Sequence, residues 1–543
     1  MSIFSKLNNI FALSGLTGKK IALLIFFSLS VSFLDVLGIY IVALLIDKLL
    51  TGNNHEVFEI IRMVFGRDVN VYYVIFFFLC IRGLVYIFLQ RYTFLQCFQS
   101  FEYISKNLVS RVFSESSFLE KNSRQQVTKL AAHDLLIYVN QGLSSSFRLI
   151  SDSLIIFFIL IFLVIENTQN FVLLLAFFGL FVFLLLKIFR RRVNVISENL
   201  SQQYKRIIAR LTDIISARDE IINYNLEKKY FDSLVSDEKQ YAGNYANFNT
   251  FTVIIRPILE FIILFGLLTF LLHNTVSDKV DLSGLSFIAF SIVRLLPIIN
   301  QIFQNVANIN FASAPVEGLM NVAHFDDSIN VDLSLDKDKS LIDIDEIKLS
   351  ISSKTSNSQF RLKKGDVLCI TGKSGIGKTT MVRKALNLTT FEPNFVMELT
   401  SNNKSFDKEI IHSIGYLPQK PYIFSAKLIE NIVLYKEVSS ETVNEYLDKF
   451  GLESLKSRIQ DKISNDHPKL SVGQIQRLGI IRALLLKKSI IFLDEPTSAL
   501  SRKDIDIFLE LLNKLRTELI FVIISHDSEI VQQATYEVNL DNI

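Results

Sequence analysis

The chain of 543 residues has no Trp, only 8 Pro, 3 Cys and 7 His. Scarce Pro beside 20 Gly excludes fibrous and low-complexity classes and leaves room for long, unbroken helices. The cysteines (Cys80, Cys97 and Cys369) have neither CxxC nor metal-ligand spacing, which argues against a disulfide framework and a zinc site. Charge is also sparse. Asp, Glu, Lys and Arg make up 20% of the residues and the net charge is +3, so nothing points to nucleic acid. Apolar residues are abundant: 50% of the chain is hydrophobic, with 46 Phe and a mean hydropathy of +0.35. That is too apolar for a disordered chain or an ordinary soluble enzyme. The composition is that of a membrane protein.

The apolar residues concentrate before residue 310. A spanning helix needs ~20 apolar residues, and six stretches qualify: Ile21–Ile46, Val71–Leu89, Leu149–Ile165, Phe171–Phe189, Val253–Leu272 and Leu285–Phe303. The segments 47–70, 166–170 and 273–284 hold four Lys/Arg, whereas 90–148 and 187–256 hold nineteen. Positive charge stays in the cytosol, so both termini and the two long loops are expected there. The first span, 26 residues without a small-residue cleavage pattern, does not read as a signal peptide. Helical periodicity continues into both long loops, through Phe94, Phe98, Phe101, Ile104 and Leu108 and through Ile196, Leu200, Tyr204, Ile207 and Leu211. Long helical hairpins are therefore expected, in preference to small loop domains.

The chain changes character near residue 325. An acidic stretch reads as a linker, and short apolar runs at 367–371, 490–494 and 519–525 then alternate with helical patterns. Fully apolar strands belong in a parallel sheet covered on both faces. The expected organisation is a six-helix transmembrane domain over 1–325, a linker over 326–345 and an α/β nucleotide-binding domain over 346–543.

Gly372-Lys373-Ser374-Gly375-Ile376-Gly377-Lys378-Thr379, followed by Thr380, fits GxxxxGK[ST] between a strand and a helix. Its glycines let backbone N–H groups wrap phosphates, and the helix N-terminus adds its dipole. Lys378 would reach the β- and γ-phosphates, and Thr379 would ligate magnesium. The strand at 490–494 ends in Asp494-Glu495. Asp494 sits where a magnesium-holding carboxylate belongs, and Glu495 would activate water as general base.

Leu470-Ser471-Val472-Gly473-Gln474 begins 92 residues after Lys378 and resembles the signature motif of ABC transporters. Gln419 resembles their Q-loop, Thr497–Ser501 their D-loop and Ser525-His526-Asp527 their switch histidine. The six preceding spans resemble the exporter type of that family. The resemblance implies a P-loop ATP-binding cassette fused to an all-α membrane domain, working as two copies or with a paralogous half-transporter. Two ATPs with Mg2+ would lie between facing cassettes, each between Lys378 of one copy and Ser471, Gly473 and Gln474 of the other. Gln419 would join the magnesium ligands, His526 would contact the γ-phosphate, and the loop ends near Gln125–Leu130 and Arg218–Tyr224 would dock on the cassettes. Departures are Val472 for Gly, Ser501 for Asp, SNDHPK before the signature, a short cassette, and no aromatic for adenine, Ile351 falling nearest.

Ionisable residues within spans are costly and mark function. They are Asp35, Arg82, Arg256, Glu260 and Arg294. One reading pairs Asp35 with Arg82 and Arg256 with Glu260. The other makes Arg82, Arg256 and Arg294 a cavity for an anionic head group, since guanidinium forks suit phosphate. The strings at 33–42, 256–262 and 292–302 resemble lipid-linked oligosaccharide flippases of the same family. Together these imply ATP-driven export or flipping of such an amphiphile across the bacterial inner membrane. The alternative is a peptide, lipid or drug exporter; one with its own processing protease is not expected, because only about 20 residues precede the first span. A non-transporting ATPase or gated channel is disfavoured by the intact Glu495 and His526.

Overall fold

The computed structural model describes residues 3–51, 63, 71–115, 118–122, 124–165, 187, 195–197, 199–200, 202–275, 282–322, 344–353, 356–401, 404–405, 414–434, 437–464, 469–485 and 488–542. They form two compact units, Met1–Phe113 with Asn122–Asn330, and Ser114–Lys121 with Val331–Ile543.

The first unit is helical. With so little Pro, nothing stops a helix from running past the bilayer: Val71–Ser114 continues for 44 residues and Glu227–Thr275 for 49. Phe76, Phe77, Ile81, Leu84, Ile87 and Phe88 are exposed on the first of these, as a lipid-facing surface requires. Its cytosol-side end buries Cys97, Ser100, Ile104 and Leu108, whereas Phe94 and Phe98 of the periodic series are exposed. Three helices among the described residues are long and apolar enough to cross a membrane, Gly18–Val42, Tyr72–Ser114 and Gln126–Ile159. The expected fifth and sixth spans fall in the helices Glu227–Thr275 and Leu282–Val322. The fourth, Phe171–Phe189, lies largely outside the described residues.

Gly18–Thr51 packs on Ser144–Ile165 and Leu282–Val322. Val36, Ile155, Ile159, Leu295, Ile298 and Phe303 form the core between them. Between helices in lipid, close packing and hydrogen bonds replace the hydrophobic drive. Ser32 Oγ donates to the Ser151 carbonyl at 3.2 Å, and Tyr138 Oη to the Ile10 carbonyl at 2.9 Å. Two π-helical turns, Leu130–Asp134 and Tyr138–Leu143, interrupt the helix leading to Ser144.

The second unit is built on a five-stranded sheet ordered β11-β3-β10-β9-β6. Its strands are β3 (Val367–Thr371), β6 (Ile414–Leu417), β9 (Ile490–Asp494), β10 (Ile520–Ile524) and β11 (Tyr536–Asn539), and every pairing is parallel. Successive residues of β3, β9 and β10 enter opposite cores. Cys369, Leu493 and Ile523 join one, and Leu368, Phe492 and Val522 the other. That explains the unbroken apolar runs, because each side chain, at about 1.5–3 kcal/mol of burial, has a covered face. A second, antiparallel sheet carries β1 (Glu346–Ser352), β2 (Asn357–Lys363), β4 (Val396–Ser401) and β5 (Lys404–Ser405). A two-stranded ribbon pairs β7 (Ala426–Lys427) with β8 (Lys462–Ile463).

Ser114–Lys121 folds with this unit, whereas Gln125–Leu130 and Arg218–Tyr224 belong to the first. The Glu120 carboxylate accepts from the Thr389 and Thr390 hydroxyls and from the Thr390 N–H. Those hydroxyl bonds, Thr389 first, hold it below the usual carboxylate range.

Ser501 explains its own departure from the family pattern. It is the N-cap of the helix Arg502–Leu515, taking the Asp504 N–H at 3.3 Å and giving its hydroxyl to Asp504 Oδ2 at 2.6 Å. Asp504 also pairs with Arg477 at 2.9 Å. Ser and Asp cap about equally well. Ser501→Ala should cost about 0.5–2 kcal/mol, read as a lower denaturation midpoint of the intact chain; an unchanged midpoint would remove the cap's role.

Candidate functional site

The nucleotide site forms where β3, β9 and β10 reach their C-terminal ends, the usual ligand edge of an open α/β sheet. Beyond β3 the chain turns through Gly372, Gly375 and Gly377, with φ of +138°, +83° and +107°. A side chain at Gly375 or Gly377 meets nothing within 4 Å, so the backbone angle, not space, demands glycine there. Gly377 caps the helix Lys378–Ala385, which carries Thr379 and Thr380 in its first turn. Between the glycines lie Lys373, Ser374 and Ile376. Lys373 N–H donates to Asp541 Oδ2 at 3.1 Å, a contact 168 residues apart that no motif announces.

Lys378 is buried, and its ammonium is held at three points. It donates to the Gly372 carbonyl, to the Lys373 carbonyl at 3.0 Å and to His526 Nε2 at 3.0 Å. With the ammonium as donor, His526 accepts through Nε2 and carries its proton on Nδ1. His526 and the phosphate-loop lysine, 148 residues apart, are therefore in contact.

Asp494 ends β9 at 2% exposure. Thr379 lies beside it, yet neither carboxylate oxygen has a partner of hydrogen-bond geometry. Burial above all, with the neighbouring Glu495 charge, raises its pKa above the ordinary 3.8, against the opposing pull of the Thr379 hydroxyl and the Lys378 and Arg383 charges. An orphaned buried carboxylate is costly, and a hard cation is the partner that removes the cost. No cluster of three or more His, Cys, Asp or Glu stands ready among the described residues. One carboxylate with a hydroxyl nonetheless suits magnesium, which is commonly bound through one or two carboxylates and the nucleotide's phosphates.

Glu495 has φ +47°, a left-handed conformation costing a non-Gly residue about 1–3 kcal/mol. Four bonds fix it. Its N–H donates to Ile524 O at 2.9 Å, and its carbonyl accepts from Ser498 N (3.3 Å), Ser498 Oγ (3.1 Å) and Gln476 Nε2 (3.3 Å). Its Oε2 accepts from Gln419 Nε2 at 3.2 Å, which brings together two of the expected site residues. Gln476 is a positioning residue the sequence did not single out; its distance of 19 residues from Glu495 hides it.

Ser471 and Gln474 form a capping box at the start of the helix Val472–Leu485. Ser471 N–H donates to Gln474 Oε1 at 2.9 Å, and Gln474 N–H to Ser471 Oγ at 3.2 Å. The signature is thus a capped helix N-terminus, which favours anions. Gly473 lies against the D-loop: a Cβ there would sit 3.0 Å from the Ala499 carbonyl. Val472 is 73% exposed. Ile351 is fully buried in β1 and presents nothing to a base.

In the first unit, a cavity of about 830 Å3 is lined by Asp35, Arg82, Gln90, Arg148, Asp152 and Asn305, among others. Arg82 forms an ion pair with Asp35. Arg256 pairs with Glu260 at 2.8 Å and does not line the cavity. Both expected pairs form. The Arg294 side chain lies outside the described residues. Arg148, which the sequence reading passed over, lines the cavity.

A phosphate loop, an acidic strand end, a capped signature helix and a bundle of long apolar helices in one chain define a membrane protein with a fused ATP-binding unit. The chain belongs to the ABC transporters: residues 21–295, about half of it, match the ABC transporter transmembrane region, and residues 355–498 match the ABC transporter domain. Over 195 residues it is 31% identical to a Rickettsia conorii protein provisionally named an export ATP-binding/permease protein, covering 34% of this chain and 33% of that one. The chain thus spans about a third of that relative's length. It is 29% identical over 214 residues to a phosphate import ATP-binding protein of Lactobacillus johnsonii, covering 37% of this chain and 79% of that one. In fold it resembles a bacterial Atm1-family ABC exporter solved with ATP bound (TM-score 0.71, 14% identity, 96% of this chain and 92% of that one).

The orphaned Asp494 has a measurable consequence. With metal chelated, Asp494→Asn should melt at a higher temperature than wild type at pH 7.5. The native pKa is raised, so the penalty is absent below the ordinary 3.8, enters as pH rises through the native value, and persists above it. The gain of the Asn variant should therefore fade on acidification. A gain independent of pH, or none, would show that the carboxylate is not strained.

Proposed function

We propose that this ABC transporter hydrolyses ATP to move an anionic amphiphile, a lipid-linked oligosaccharide, from the inner to the outer leaflet of a bacterial inner membrane. The observation that carries the ATPase reading is the convergence of Lys378, His526, Asp494, Glu495 and Gln419 on one sheet edge. Lys378 exchanges its carbonyl and histidine partners for the β- and γ-phosphate oxygens. The N–H groups of Gly375, Ile376, Gly377, Lys378, Thr379 and Thr380 wrap the same phosphates. Thr379, Asp494 and Gln419 would hold magnesium, which would draw charge from the phosphate oxygens when bound. Released from Lys378, His526 is free to contact the γ-phosphate. Glu495 takes the proton of the attacking water, its carboxylate already oriented by Gln419 and its backbone fixed by Gln476 and Ser498.

Two copies are required in this reading. Ser471, Gly473 and Gln474 present a capped helix N-terminus beside the exposed Val472, and a second copy's γ-phosphate is the anion it suits. The Lys/Arg distribution supports cytosolic termini. The oligosaccharide reading rests on a cavity rich in amides and hydroxyls, together with the flippase-like strings. Peptide, lipid or drug export is the second reading, supported by the same cavity's volume of about 830 Å3, within the range of drug-sized sites.

The test is ATP-dependent flipping of a fluorescent polyprenyl-pyrophosphate sugar in proteoliposomes. Glu495→Gln should retain ATP binding while hydrolysis falls at least about 100-fold, and flipping should stop. Undiminished hydrolysis would overturn the role of Glu495. Wild-type hydrolysis without flipping would move the substrate to the second reading.

A further inference from the structure

A guanidinium in a low-dielectric wall is costly unless its charge and its five N–H donors are met. The two cavity arginines differ in this respect. Arg82 is closed off: the buried Asp35 holds it in an ion pair, and it lies so near Gly38 that a Cβ there would come within 3.1 Å of Nη1. Arg148 is exposed to the cavity, with its guanidinium 5.2 Å from the centroid of the Phe94 ring. Among the described residues, no carboxylate or hydrogen-bond acceptor engages it. The acid one turn on, Asp152, is buried and takes the Asn305 amide at 2.9 Å. The charges of Asp35 and Arg82 cancel, whereas that of Arg148 is left for a guest.

The two arginines also sit at different depths. Arg82 and Phe94 lie on one continuous helix, Val71–Ser114, so their twelve-residue separation is about 18 Å. Arg82 is deep in the span; Phe94 and Arg148 mark the cytosolic mouth.

Resting on the export reading of the cavity, we propose that Arg148, backed by Phe94, receives the acidic group of the amphiphile at this mouth, and that Arg82 is not an anion site. The group is an oxyanion, phosphate or carboxylate, because both match the edge of the guanidinium fork.

The chain has no Trp, so Phe94→Trp supplies a single reporter under the guanidinium. The full-length variant in nanodiscs of neutral lipid is titrated with farnesyl pyrophosphate, palmitate and the uncharged dodecyl maltoside. Saturable quenching by an anion, absent with the maltoside and weakened tenfold or more in Kd by Arg148→Gln, is expected. Tighter binding of the pyrophosphate identifies a phosphorylated head, and tighter binding of palmitate a carboxylate. Circular dichroism and elution volume check that the Gln variant is folded. Arg148→Lys, which keeps the charge without the fork, should fall between the two. Equal response to all three ligands, no response, or an unchanged Kd in Arg148→Gln would overturn the assignment. It would also fall, with export intact, if Arg148→Gln flipped the polyprenyl-pyrophosphate sugar undiminished. A wild type that binds the anions through Arg148 but does not flip the polyprenyl-pyrophosphate sugar would instead remove the oligosaccharide reading alone and move the substrate to the second reading.

Discussion

The buried carboxylate of Asp494 at the end of a fully buried strand is the constraint around which the nucleotide unit is organised. A carboxylate reaches that position because β9 is covered on both faces, by cores that share alternate residues of the same strand. The next residue is bent into the left-handed region and fixed there by bonds from Gln476, Ser498 and Ile524. The helix Val472–Leu485, which supplies Gln476, also begins with Ser471, Gly473 and Gln474. One helix therefore holds the Glu495 carbonyl from its second turn and carries the signature residues at its first. A shift of that helix moves both.

Most charges at the site are met by a neighbour. Lys378 rests on two carbonyls and His526, and Glu495 rests on Gln419. Asp494, beside Thr379, has no partner of hydrogen-bond geometry on either oxygen. The membrane unit follows a similar logic in a drier setting: Arg82 is met by Asp35 and Asp152 by Asn305.

What the sequence reveals depends on whether the cause is local. The phosphate loop is contiguous, so its glycines and Lys378 are legible at once, as are the strands whose every side chain is buried. The strands β6 and β11 are not: each has four residues, and YEVN carries little β-pattern because its outer positions face water. The antiparallel sheet also escapes, since β1 and β2 alternate polar residues outward. Contacts such as Lys373 with Asp541 or Lys378 with His526 join residues far apart in sequence, and only the second is recoverable, through a motif. In the membrane unit, apolar periodicity places the helices well. It does not say which of the periodic residues are buried, because lipid exposure rewards the same residues that a core does. Arg148 was missed for a related reason: it lies just before the apolar run that defines its span, where an arginine reads as an ordinary cytosolic flank.

The most direct test needs no substitution. The thermal midpoint of the intact wild-type chain is measured with a non-hydrolysable ATP analogue, once in excess EDTA and once with Mg2+. If the Asp494 charge organises the site, Mg2+ should add several degrees beyond the nucleotide alone, because cation binding removes a buried penalty as well as bridging phosphates. An equal shift in EDTA would contradict it.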